Sequence, residues 1–333
     1  MSKRLLLAQS MNNLGILRLL EGFRSKPGIL ILNYHRIGER SESVFDRELF
    51  SATADDFDRQ LKYLKQHFEI LSGDALQSLV RSKDCIKRMH VALTFDDGYL
   101  DNYTQAFPIL RANDCTATFF LIAQYVGSAL IPWWDEIAFL IRNTKKQHLR
   151  LEFPVPITIP LEGDREGAIR AALRHYKRPD NVHCDDLMDQ LRREANCPLP
   201  DVHRRFLNWS EAREMRDAGM TIGSHTQTHP ILGQITPARQ EWELRQSKQI
   251  IEENLGSKID TLAYPVGTRN GFDAATENLA RSLGYSMCFS FYGGVNTPHN
   301  MKATNLLRGN TSTEPELFRA ETMMRAKLGS LFH

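Results

Sequence analysis

The sequence lacks a cysteine pattern. Its five cysteines, Cys85, Cys115, Cys184, Cys197 and Cys288, are odd in number, widely spaced and without a C-x-x-C pair, which argues against a disulfide framework and a thiolate zinc site. Apolar runs near the ~20 residues needed to cross a bilayer are missing too. The opening stretch Leu5-Leu6-Leu7-Ala8 is broken by Gln9, Ser10, Asn12 and Asn13, short of secretory length. No secretory signal is read there, and a reducing, cytoplasmic compartment is the expectation. An excess of one charge is absent: 42 Lys and Arg stand against 40 Asp and Glu, a formal +2, so nucleic acid is not expected as a partner. Neither a low-complexity tract nor a G-x-S-x-G nucleophile elbow occurs, which speaks against disorder and against a covalent serine mechanism.

What is present is a globular composition, 42% hydrophobic and 25% charged over 333 residues, enough to bury a full core. From residue 28 onward, short β-branched or aromatic runs alternate with helical patterns, which predicts a parallel sheet or barrel of βα units. Gly28–Asn33, His90–Phe95, Ala117–Ile122 and Met220–Gly223 read as strands. Helices are expected over about 102–111, from Ser210 as cap to Asp217, over 236–255 between Thr236-Pro237 and Gly256, over 274–283, and from Glu314. The stretch of about 130–205 breaks the rhythm and is read as an insertion in a barrel spanning 28–333. Residues 1–27 are read as a helical segment. With Arg18 and Arg24 it can rest on a membrane surface, but a helix docked on the domain is the preferred reading.

Three strings sit just after predicted strands: Thr94-Phe95-Asp96-Asp97-Gly98-Tyr99, Ser224-His225-Thr226-Gln227-Thr228-His229 and Ala263-Tyr264-Pro265-Val266-Gly267. The carboxyl ends of parallel strands are where sites are built. On an extended backbone Asp96 and Asp97 point apart, so one can bind a metal while the other faces a substrate water. His225 and His229, four apart on a helical turn, can place two imidazoles on one cation with Asp97 as the third ligand. Each piece has a plainer explanation: Asp-Asp-Gly is turn chemistry, and paired histidines can be surface or capping groups. The conjunction favours a site.

These strings resemble the polysaccharide deacetylases of the NodB-homology, carbohydrate esterase family 4 type. The resemblance implies a distorted (β/α) barrel with seven or eight strands, Asp97, His225 and His229 as ligands of a divalent metal, most often Zn2+, Asp96 as general base, and Tyr99 as a backbone N–H donor to the oxyanion. It implies hydrolysis of the N-acetyl group of an amino sugar in a polysaccharide, lipid-linked saccharide or nucleotide sugar.

Two departures stand out. Ala263 occupies the third-motif position where the family usually has an Arg holding the catalytic Asp, and Arg308 is the candidate substitute. A late Leu-x-His motif is absent. His35, in Asn33-Tyr34-His35-Arg36, is the candidate general acid, as in members similar to exopolysaccharide poly-N-acetylglucosamine deacetylases, with His299 as rival. Trp133-Trp134 can form a sugar platform or pin the insertion to the barrel, and the second is preferred. Competing functions are a catalytically silent carbohydrate-binding protein and a two-His-one-carboxylate iron enzyme.

Overall fold

The structure, a computed structural model, describes residues 3–329. The barrel strands are β1 (Gly28–Tyr34), β4 (Glu69–Ile70), β5 (Met89–Phe95), β6 (Thr118–Leu121), β9 (Thr221–Ser224), β10 (Thr261–Ala263), β11 (Met287–Phe289) and β12 (Arg308–Asn310). All their pairings are parallel, in the order β11-β10-β9-β6-β5-β1-β12. Along the starting stretch of β5, Glu69 and Ile70 of β4 pair with His90 and Val91 before β6 takes over at Thr94. The bridge between Phe289 and Leu306, just before β12, brings the two ends of the sheet together. The result is a distorted (β/α) barrel. Strands β1 and β5 are buried along their whole length, which is why both read as near-continuous apolar runs.

Helices close the outside: α3 (Ala54–His67), α4 (Gly73–Arg81), α5 (Phe107–Ala112), α9 (Trp209–Asp217), α10 (Pro237–Leu255), α11 (Ala274–Ser282) and α12 (Pro315–Leu328). Capping chemistry sets several of their starts. Thr53 accepts from the Asp56 N–H, and Thr236 from the Arg239 N–H. For α9 the cap is Asn208 and not Ser210: Asn208 and Glu211 each bond the other's backbone N–H, a capping box that starts the helix two residues earlier. The segment over 102–111 begins as a π-helical turn, Asn102–Ala106, that runs into α5.

Between β6 and α9 lie α6 (Trp133–Asn143), the antiparallel pair β7 (His148–Leu151) and β8 (Ile157–Pro160), α7 (Arg165–Tyr176) and α8 (Cys184–Ala195). Ile137, Leu149, Ile159, Ile169 and Leu191 form a second apolar core there, and Tyr99, Ile122, Phe206 and Ile231 join it to the barrel. A two-stranded sheet, β2 (Arg36–Ile37) with β3 (Phe50–Ala52), follows β1. At the other terminus, α1 (Lys3–Asn13) and α2 (Ile16–Gly22) pack on α12 through Ala8, Leu17 and Ala320.

Candidate active site

Strand ends deliver the chemistry. His35 follows β1, Asp96 and Asp97 follow β5, His225 follows β9, and Arg308 opens β12. The first four, with His229, line one cleft of about 550 Å³. One wall comes from the insertion, through Trp133, Trp134, Arg170, Arg174 and Lys177. The volume is typical of a small-molecule site.

The two aspartates are separated by their partners. Asp96 is gripped by Arg308, whose Nη1 and Nη2 donate to its two oxygens at 2.7 and 2.9 Å. Asn33 Nδ2 donates to Oδ2 at 2.9 Å, and Asn33 Oδ1 accepts from Arg308 Nη1 at 2.7 Å and from Thr94 Oγ1 at 2.7 Å. Arg308 is fully buried and also donates to the Ser290 carbonyl at 2.9 Å. Burial pushes the Asp96 carboxyl up, but the charges of Arg308, His225 and His35 outweigh it and hold Asp96 well below the usual carboxylate range. Asp96 is therefore ionised at neutral pH.

Asp97 faces the histidines. Its Oδ1 lies 3.6 Å from His225 Nε2 and 3.7 Å from His229 Nε2. One ligand atom from each of these three buried residues lies within 4.8 Å of the others. His225 Nδ1 donates to the Ala263 carbonyl at 2.8 Å, which leaves its Nε2 lone pair toward the cleft. Three groups able to offer a lone pair thus converge, as the environment of a cation requires. Burial, then the charge on Asp96, pushes the Asp97 carboxyl up, and burial pushes both imidazoles down. A divalent charge would relieve all three.

The loop carrying the histidines is not helical. His225 leaves β9 directly, and Thr226 (φ 66°) and His229 (φ 62°) are both left-handed, a conformation no right-handed helix admits. Buried Glu243, from α10, replaces the missing helical hydrogen bonds: it accepts the Gln227 and Thr228 N–H groups at 2.9 and 2.8 Å and the Thr228 hydroxyl at 2.6 Å. Asp97 is also left-handed (φ 74°), so the backbone at the two aspartates turns instead of extending, and both reach one cleft. Of the six described non-glycine residues with positive φ, Asp97, Thr226, His229 and Val266 all border this region. Gly98 shares the turn at φ 74°, and a Cβ there would lie 2.7 Å from Leu121.

His35 Nε2 lies 3.9 Å from Asp96 Oδ2, with Phe291 edge-on to its ring at 5.7 Å. Burial lowers its pKa to about 4, although the charge of Asp96 opposes the shift. His299 is exposed in a turn and does not border the cleft. Tyr99 turns its side chain into the second core, where the hydroxyl donates to Asp135 at 2.7 Å and accepts from Trp134 Nε1 at 2.8 Å. The Tyr99 backbone N–H donates to no group among the described residues. Trp134 is buried edge-to-face on His229 at 4.5 Å, while half-buried Trp133 stacks on Tyr176 at 4.0 Å. The pair therefore pins the insertion and walls the cleft together.

Three contributors escape the sequence reading: Asn33, Glu243 and Asp135. Asn33 carries the one usable signal, a polar residue ending an apolar strand beside His35. Glu243 and Asp135 lie on ordinary helices and show nothing unusual in sequence.

A family model described as polysaccharide deacetylase matches residues 83–288. The chain is 22% identical to YxkH of Bacillus subtilis over 264 residues, covering 79% of this chain and 64% of that protein. It is 31% identical over 115 residues to the poly-beta-1,6-N-acetyl-D-glucosamine N-deacetylase of Staphylococcus epidermidis, 31% of this chain and 39% of that protein. The chain thus spans less than two thirds of the length of either relative. The fold is that of the Streptococcus pyogenes deacetylase PplD, with a TM-score of 0.59 at 20% identity over 91% of this chain and all of that one.

Proposed function

The chain belongs to the polysaccharide deacetylase family, hydrolases of carbon–nitrogen amide bonds, and from that premise we propose that it is a metal-dependent carbohydrate N-deacetylase that releases acetate from an N-acetylated amino sugar. The observation that carries this reading is the pairing in one cleft of the three converging acceptors Asp97, His225 and His229 with the arginine-clamped carboxylate of Asp96. The site sits at the carboxyl ends of parallel strands, which favours hydrolysis over the iron-oxygenase alternative, whose members are mostly jelly rolls.

Asp97, His225 and His229 would hold the cation, and two imidazoles with one carboxylate suit zinc. When bound, it supplies Lewis acidity to a water and to the amide carbonyl. Asp96, kept ionised by Arg308, accepts a proton from the attacking water. The Tyr99 N–H, without an acceptor among the described residues, is assigned to the developing oxyanion. His35 is neutral at the start, and the proton on Asp96 passes to it across the 3.9 Å gap. Arg308 favours that release, because its charge holds the Asp96 carboxyl below the ordinary carboxylate range. Protonated His35 then donates to the departing amine as the carbon–nitrogen bond breaks. Acetate and a free amino sugar leave, and both carboxylate and imidazole return to their starting states.

A substrate of the poly-N-acetylglucosamine type is the first candidate, because the Staphylococcus epidermidis relative carries that activity in its name. Lipid-linked and nucleotide-linked amino sugars share the reacting group. The test is acetate release from such a panel by zinc-loaded, metal-stripped and Asp96→Asn protein. Zinc-dependent release that disappears in Asp96→Asn is expected. Tight metal binding with no release from any N-acetylated sugar would refute the reading and leave a silent carbohydrate-binding protein.

A further inference from the structure

Charge is unevenly spread along this chain. Residues 1–27 hold Lys3, Arg4, Arg18, Arg24 and Lys26 against the single acid Glu21, a formal +4 in a chain whose total is +2. All five cations are exposed. Glu21 is engaged by Arg319 at 2.9 Å and by the Tyr63 hydroxyl at 2.9 Å. The segment therefore shows solvent a basic surface with no exposed acid of its own.

The same segment carries a dense group of exposed large hydrophobics. Ala8 and Leu17 seat α1 and α2 on Ala320 of α12, with Met11, Leu20 and Leu317 beside them. That docking uses one side of the helices only. Leu6, Leu7, Leu14, Ile16, Leu19 and Phe23 remain exposed, six of the thirteen exposed large hydrophobics among the described residues, all within residues 6–23. Leu14, Leu19 and Phe23 are 74%, 63% and 61% accessible. Scattered apolar residues need no explanation, but a concentration of this kind marks an interaction surface.

We propose that α1 and α2 form an in-plane anchor that docks the enzyme on a bilayer containing anionic lipid. Exposed apolar side chains interspersed along the segment with exposed Lys and Arg suit such an interface: the leucines and Phe23 enter the acyl boundary while the cations reach the headgroups. A second copy of the chain fits this face poorly, because +4 would be brought against +4. Among the described residues no helix is long and apolar enough to span a membrane, so the contact is peripheral. None of the six apolar residues borders the cleft, and docking leaves it open.

The experiment is co-sedimentation of the full chain with vesicles of equal parts phosphatidylglycerol and phosphatidylcholine, and with vesicles of phosphatidylcholine alone. Partitioning at least about tenfold stronger to the anionic vesicles, and weakening with added salt, is expected. The Leu14→Glu/Leu19→Glu/Phe23→Glu variant should lose that partitioning at least about tenfold while keeping the melting temperature and metal affinity of the parent. Equal partitioning to both vesicle types, or none to either, overturns the proposal. So does a parent chain that sediments as a dimer which the triple variant dissociates, since the face would then belong to self-association.

Discussion

Asp96 and His35 lie 3.9 Å apart and respond to protons in opposite regimes, which makes pH a direct probe of the site. The His35 pKa is lowered from an ordinary value near 6.5 to about 4. Between those values the unfolded chain binds the proton and the folded one does not, so this imidazole's contribution to stability is complete above pH 6.5 and is lost as pH falls toward 4. Asp46, whose carboxyl burial pushes up to about 6, works with the opposite sign: it favours the folded state at low pH and loses that advantage as pH rises from 4 to 6. Urea titrations of metal-stripped parent and His35→Gln, compared across pH 4–7, isolate the imidazole. The variant should be the less sensitive of the two to acid, and identical slopes would contradict a half-buried, neutral His35. Under turnover with saturating zinc, His35→Gln should lower kcat by roughly 10²–10⁴ with metal affinity retained.

Arg308 supports a second prediction at this scale. Replacing it with Met leaves the Asp96 carboxylate buried with Asn33 as its principal donor, and loss of one partner of a buried pair costs about 3–5 kcal/mol. Arg308→Lys keeps the charge but not the two-pronged grip. It should fold, hold metal and turn over roughly 10–100-fold more slowly, with the acidic limb of its pH–rate profile displaced to higher pH because Asp96 is no longer held as low. An unchanged rate would remove Arg308 from the role assigned to it.

At the scale of elements, the histidine loop depends on α10. Glu243 is fully buried and fixes two consecutive backbone N–H groups between His225 and His229. Glu243→Gln retains the shape but weakens those bonds, so zinc affinity by chelator competition should fall roughly 10–100-fold with helix content unchanged. The alternation of strands and helices, the ends of α10 and the strings after β5 and β9 were all legible because periodicity and capping are local properties. The backbone of the histidine loop was not, since four-residue spacing looks the same in a helix and in a loop with two left-handed residues. Nor could spacing reveal that the Ala263 carbonyl orients His225, because every residue type carries that group. Arg308 could be nominated only by a missing arginine elsewhere, and its bond to Asp96 joins residues that sequence proximity never relates.

At the scale of the molecule, two apolar cores meet at the cleft. The barrel supplies Asp96, Asp97, His225 and His35, and the insertion supplies the wall with Trp133 and Trp134. A cation bound only by the folded chain stabilises it by mass action, about 4 kcal/mol at a thousandfold excess over Kd. Stripping the metal should therefore lower the melting temperature by several degrees in a chain of this size. Asp97→Ala should abolish the difference between loaded and stripped protein, whereas Asp96→Asn should keep it. Equal melting with and without zinc in the parent would count against the cation site itself.

The clamp on Asp96 closes over 212 positions of chain. A polypeptide emerging from the ribosome will have made both aspartates and both histidines long before Arg308 exists. Chains that stop short of β12 thus carry every proposed metal ligand but lack the arginine that seats the proposed base. A protease that trims the molecule back past β12 would likewise remove the clamp on Asp96 while sparing Asp97, His225 and His229.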